Sequence, residues 1–173
     1  VDILIRAMAA VIEAVPAARL RIVGDGPASE TLKQLVAELN LADYVHFTGF
    51  LEHSSRVDEE LAGATVAVAP YRPDDDNFSF FADPGKLKMY VGSGIPILTT
   101  DVAPFARELF KAGAAAEITA DRDDISENLV RVLLDESAWE QMRRSSSLLG
   151  DKYDWNSIFR DMNLPGITTN VEP

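Results

Sequence analysis

The sequence contains no cysteine in its 173 residues. That absence excludes a disulfide framework, a thiolate metal site and a cysteine nucleophile, and it is compatible with a reducing cytoplasm. Histidine is scarce: His46 lies in an expected strand and His53 in a polar turn. No catalytic dyad is expected of either. Positive charge is in deficit, with 16 Lys and Arg against 28 Asp and Glu, a net charge of -12. This balance argues against nucleic acid or an anionic membrane surface as a partner held by charge alone. No apolar run reaches the length of a membrane span. The first residues lack the basic, apolar and small-residue order of a signal peptide.

What is present is a globular composition. Hydrophobic residues make up 47% and charged residues 25%, and the length suits one domain. A core of this size can bury roughly 70% of the unfolded chain's surface. Ile3, Leu4, Ala7, Met8, Val11, Ile12 and Val15 fall on one helical stripe. The chain therefore opens inside an amphipathic helix, at Val1, and reads as cut from something longer. Strands are expected at Leu20–Val23, Tyr44–Thr48, Thr65–Ala69, Ile95–Thr99 and Ala115–Ile118. Helices are expected over Pro27–Leu39, Ser55–Ala62, Asp83 to about Gly92, Ala103–Lys111, Asp123–Leu134 and Ser137–Leu149. Leu32, Leu35, Val36 and Leu39 supply the stripe of the first of these. Val57 and Leu61 point inward on the second. The alternation predicts a parallel sheet with helices on both faces. Ligands of such sheets sit beyond the carboxyl ends of the strands.

Three segments share that edge. In Leu20-Arg21-Ile22-Val23-Gly24-Asp25-Gly26-Pro27 a β-branched strand meets two glycines and a helix-opening proline. Amides at such a helix start suit an anion, although the same turn also joins strands to helices in proteins with no ligand there. The second segment is Val45-His46-Phe47-Thr48-Gly49-Phe50-Leu51. The third is the long loop after Val66-Ala67-Val68-Ala69-Pro70-Tyr71, which ends at Asp83-Pro84-Gly85-Lys86-Leu87-Lys88-Met89-Tyr90 and leads to Gly94-Ile95-Pro96-Ile97. A structureless loop of that length is more often functional than idle.

In this order and spacing the segments resemble the C-terminal, donor-binding domain of GT-B glycosyltransferases, most closely the retaining enzymes that use nucleotide sugars. The resemblance runs from Ile3 to about Phe159. Tyr153-Asp154-Trp155 looks like the family's C-terminal helix. The implied architecture is a Rossmann-like α/β domain over residues 1–163, one half of a GT-B enzyme and lacking its first strand, with a loose tail over 164–173. The implied activity is transfer of a sugar, hexosyltransferase-like, from a nucleotide diphosphate sugar to a hydroxyl acceptor in glycan biosynthesis. Retention at the anomeric carbon, no required metal or other cofactor, and a cytoplasmic setting are implied as well.

Residue roles follow from the same resemblance. Gly24, Asp25, Gly26 and Pro27 would sit near the nucleotide. The backbone of Thr48, Gly49, Phe50 and Leu51 would border the base. Asp83, Pro84, Gly85, Lys86 and Leu87 would face the diphosphate and donor sugar, with the Lys86 ammonium offsetting charge and Asp83 accepting from sugar hydroxyls. No catalytic residue is assigned.

Two departures stand out. The family often carries two glutamates with seven residues between them, the second usually holding the ribose; those positions are Phe81 and Met89 here. The family's diphosphate-gripping arginine and lysine would precede the first helix, as would the first strand and the acceptor-binding domain, through which any membrane contact would run. Such cations supply much of the charge stabilisation at a departing diphosphate, so this chain alone is expected to lack transferase activity. A sugar-nucleotide epimerase of the same fold and a non-catalytic binding or scaffolding remnant remain the alternatives.

Other signals have plainer readings. Asp83 reads first as a helix cap, and Lys86 also suits a solvated helix position. Asp74-Asp75-Asp76 reads as a solvated run, since three consecutive carboxylates do not converge on one ion. Phe78, Phe80 and Phe81 form either a lid or ordinary loop packing, and Trp139 and Trp155 read as packing residues.

Overall fold

The computed structural model describes residues 1–72 and 85–153. Expectations for Asp74 to Asp76, Phe78, Phe80, Phe81, Asp83, Pro84, Asp154, Trp155 and the 164–173 tail lie outside the described residues. Within them the order is α1 (Asp2–Ala14), β1 (Leu20–Val23), α2 (Ser29–Glu38), β2 (Val45–Gly49), α3 (Ser54–Ala62) and β3 (Ala67–Ala69). Then come α4 (Gly85–Gly92), β4 (Ile97–Thr99), α5 (Pro104–Ala112), β5 (Ala115–Glu117), α6 (Arg122–Leu134) and α7 (Glu136–Lys152).

The strands form two parallel sheets, β1-β2 and β3-β4-β5. Leu20 pairs with Val45 and Ile22 with Phe47 in the first. Ala67 pairs with Ile97, which pairs with Ala115, in the second. Adjacent residues of β4 serve opposite faces, as a strand's alternation demands. Leu98 joins a cluster built from α1, α2, α6 and β2, with Leu4, Met8, Leu35, Val45, Ile125 and Leu129 among its members. Ile97 joins the opposite cluster, with Leu87 and Val91 of α4, Leu109 of α5 and Leu149 of α7. Helices thus cover both faces. Burial of Ile97 and Leu98, both fully enclosed, is worth about 1.5–3 kcal/mol apiece.

Several boundaries differ from expectation for identifiable reasons. The third and fourth strands begin two residues later than the apolar runs. Pro96 has no N–H to give a ladder and contributes only its carbonyl, which accepts from the Ala67 amide at 2.9 Å. The Thr65 carbonyl accepts the Trp139 indole N–H at 2.8 Å instead of entering the sheet. Helix α2 begins at Ser29, with Pro27 left in the preceding turn. Helix α1 buries Ile5 completely in addition to Leu4, Ala7, Met8 and Val11, while Ile3 and Ile12 are half-buried. It packs against both α6 and α2, so it needs more than one apolar stripe.

Candidate functional site

The carboxyl end of β1 is closed by two glycines in left-handed backbone, Gly24 at φ 113° and Gly49 at φ 69°. Only glycine adopts these angles without strain. The Gly24 amide donates to the Gly49 carbonyl at 3.1 Å, and Thr48 Oγ1 lies 3.3 Å from the same amide. The Thr48 hydroxyl donates in turn to the Gly49 carbonyl at 2.9 Å. Two of the three expected segments, Gly24–Pro27 and Thr48–Leu51, are therefore stitched together at one point. Phe50 stands beside that stitch, 75% exposed, and Leu51 is half-buried.

The first turn is occupied by its own acid. The Gly26 amide donates to Asp25 Oδ1 at 2.7 Å. That bond, with a second from the Ser29 hydroxyl, holds the Asp25 carboxyl below the ordinary aspartate range. Both glycine amides of the turn are thus engaged, and a carboxylate stands where an incoming phosphate would need positive potential. The turn shapes the edge more than it offers an anion seat.

The third segment arrives by topology: α4 follows β3 and leads into β4, so its first turn lies on the same edge. Gly85 and Lys86 are exposed there. Leu87 is fully enclosed in the α4–α5–α7 core; only its backbone is available to a ligand. Met89 is 41% exposed, one turn on from Lys86. Asp83 and Pro84 lie outside the described residues.

Residues not singled out in the sequence hold the exit of β3. The Thr99 hydroxyl donates to the Ala69 carbonyl at 3.0 Å, and the Thr100 hydroxyl to the Tyr71 carbonyl at 2.9 Å. Both threonines are buried. The signal available in the sequence was two adjacent hydroxyl residues ending an apolar strand. Arg72 reaches Asp2 of α1 at 2.9 Å, which ties this exit to the start of the first helix. Burial raises the Tyr71 and Tyr90 phenols above the usual tyrosine range, and each packs against the cluster under α4.

His46 and His53 are exposed on separate elements. No group of three or more His, Cys, Asp or Glu among the described residues could hold a metal ion. No helix among them is long and apolar enough to cross a membrane.

Comparison with known proteins adds a family and a fold. The family model described as glycosyl transferases group 1 matches residues 1–135. An exopolysaccharide phosphotransferase of Streptomyces coelicolor is 29% identical over 139 residues, covering 79% of this chain and 14% of that protein. Among solved structures, WaaG, a glycosyltransferase involved in lipopolysaccharide biosynthesis, superposes with a TM-score of 0.73 at 21% identity. The match covers 93% of this chain and 41% of WaaG. Anabaena HepE in complex with UDP gives a TM-score of 0.68 at 17% identity, covering 92% of this chain and 43% of HepE. The chain thus spans less than half the length of each of these proteins, and the fold that the solved structures share with it is the Rossmann-like α/β domain of GT-B enzymes.

Proposed function

The chain belongs to the glycosyl transferases group 1 family, and from that premise we propose that it is the donor-binding domain of a sugar transferase that uses a nucleotide diphosphate sugar. The observation that carries this reading is the Gly24–Gly49 junction. It joins two segments that the family resemblance assigns to the nucleotide, at the strand edge where ligands of parallel sheets sit. Binding of UDP by HepE, a protein of the same fold, supports a nucleotide as the ligand class.

In this reading the backbone of Thr48 to Leu51 borders the base, and Phe50 offers it an exposed aromatic face. Lys86 and the opening amides of α4 meet the diphosphate. Asp83 contacts the donor sugar. The domain's contribution is to hold the donor in place for an acceptor carried by other parts of the enzyme. Transfer proceeds with retention and without a metal, in the cytoplasm, and the 173-residue chain alone does not turn over.

Calorimetric titration of the whole parent protein with UDP, GDP and ADP and their glucose conjugates tests the reading. One nucleotide family should bind. Lys86→Ala should weaken that binding by roughly tenfold, about 1.4 kcal/mol. Binding by none of them would favour the non-catalytic remnant, and the anomeric configuration of the product, read by NMR, decides retention.

A further inference from the structure

Strands β1 and β2 run in step at first and then fall out of step. Leu20, Arg21 and Ile22 face Val45, His46 and Phe47, and Val23 then faces Gly49. Thr48 is passed over. It is the extra residue of a bulge, a feature rare between parallel strands and over-represented beside functional sites. One residue further on, Gly24 and Gly49 meet as an antiparallel bridge, so the two chains diverge at this point. The left-handed backbone of Gly49 then leads into Phe50.

A bulged residue has no partner across the ladder, and Thr48 makes its contacts through its side chain instead. The Gly24 amide is shared between two acceptors, the Gly49 carbonyl at 3.1 Å and Thr48 Oγ1 at 3.3 Å. The same hydroxyl donates to the Gly49 carbonyl at 2.9 Å. Three groups thus close a triangle in which Thr48 supplies the side chain, since the other two residues are glycines. Glycine restrains its own backbone least of all residues; the hydroxyl limits the angles that Gly49 can sample. Phe50 follows directly and is largely exposed, so core packing does not fix its ring. Its placement is inherited from the backbone before it.

We infer that Thr48 is a positioning residue for nucleotide binding: its hydroxyl locks the Gly24–Gly49 junction and so holds the Phe50 ring where a base can lie against it. This role rests on the donor-binding reading, in which Phe50 meets the base, and it assigns to a side chain what that reading leaves to the backbone. Valine has nearly the shape of threonine and no hydroxyl. Thr48→Val therefore removes both side-chain bonds while the Gly24 amide and the Gly49 carbonyl keep each other, so the fold should survive the change.

Calorimetric titration of the whole parent protein with UDP, GDP and ADP tests the role. The proteins compared are the wild type, Thr48→Val, Thr48→Ser, Phe50→Ala and the Thr48→Val/Phe50→Ala double variant. Phe50→Ala should weaken the nucleotide that binds by roughly tenfold, the scale of one base–aromatic stack. Thr48→Val should weaken it by about three- to tenfold, with Tm within a few degrees of the wild type. Thr48→Ser keeps the hydroxyl and should bind within about twofold of the wild type. In the Phe50→Ala background Thr48→Val should add almost nothing, because a residue that acts through another is not additive with it. Thr48→Ala also lacks the hydroxyl and replaces the valine variant if that one does not fold. The inference is overturned if Thr48→Val binds like the wild type, if Thr48→Ser is as weak as Thr48→Val, or if the two single losses add in the double variant. Failure of the wild type to bind any of the three nucleotides would instead remove the donor-binding reading, and this role with it.

Discussion

Neighbouring residues at this site have opposite fates, and periodicity explains which. Lys86 and Met89 lie on the solvent side of α4 while Leu87 and Val91 are fully enclosed. Family likeness to the segment as a whole marks Leu87 and Lys86 alike; only the helix face separates a core residue from a contact residue. Met89 is open enough for a polar replacement to cost little. Met89→Glu would place an acid where the family resemblance expects one, and it should raise affinity for whichever of UDP, GDP and ADP the parent protein binds several-fold while leaving Tm nearly unchanged; calorimetry and thermal melting would check the pair of outcomes. A second residue-scale prediction concerns Ser146. Its hydroxyl is fully buried in α7, and its Oγ has no hydrogen-bond partner among the described residues. An unpartnered buried hydroxyl is costly, and alanine is the better helix former. Ser146→Ala should therefore stabilise the domain by about 1 kcal/mol in urea unfolding. Nothing in the sequence marks Ser146 apart from its neighbours Ser145 and Ser147, because the difference lies in what α7 packs against.

At the scale of elements, α4 and α7 approach so closely that one glycine is indispensable. A Cβ built on Gly150 would lie 2.6 Å from the Val91 carbonyl oxygen, a backbone atom with little freedom to move. On Gly92, by contrast, a Cβ would meet nothing within 4 Å. Helix propensity alone says that Gly→Ala gains up to about 1 kcal/mol. Gly150→Ala should instead lose about 1–3 kcal/mol from overpacking, and Gly92→Ala should be near neutral; denaturant titration of both reverses the argument if the order is inverted. The starts of α6 and α7 lie one residue before the expected Asp123 and Ser137, set by capping aspartates not singled out in the sequence. Asp121 accepts from the Asp123 and Asp124 amides at 2.9 and 3.1 Å, and Asp135 accepts from Ala138 at 3.0 Å. Asp135 also ends α6, its own amide donating to Arg131 at 3.0 Å. The helix stripes of α1 and α2 were readable because 3.6-residue spacing survives in the sequence. Strand ends were less so, because Pro96 and Thr65 both carry apolar or β-prone neighbours, yet Pro96 has no N–H to give the ladder and Thr65 sends its carbonyl to the Trp139 indole. That the strands divide into two sheets was not readable at all: edge pairing is a long-range property that no local pattern records.

The whole molecule combines a net charge of -12 with carboxylates that the fold holds in their charged form. Asp121 is kept below the ordinary aspartate value of 3.8 by the Asp124 and Asp123 amides. Glu108 is kept below 4.5 by the Tyr153 hydroxyl and by Lys152, whose Nζ stands 3.2 Å away. The two effects oppose each other as pH changes. Net charge disfavours the compact state at neutral pH through self-repulsion, and that repulsion relaxes as acids are neutralised toward the isoelectric point of about 4.5. A depressed carboxylate acts the other way: its contribution is complete above the unfolded-state pKa and disappears as pH falls through the lower folded-state value. Lowering pH from 7 should therefore leave the urea midpoint level or raise it slightly until about 4.5, and then lower it steeply below 3.8 as the Asp121 cap and the Glu108 contacts protonate. Salt separates the two terms, since about 0.15 M ionic strength shortens the Debye length to roughly 8 Å. At pH 7 added salt should raise the midpoint by screening repulsion between exposed charges. Below pH 4 it should do little to restore the lost contacts, because neutral carboxyls have no charge to screen. Asp121→Asn should flatten the acid limb while preserving the salt response at pH 7. A variant that instead lost the salt response and kept the acid limb would show that the cap is not the titrating group.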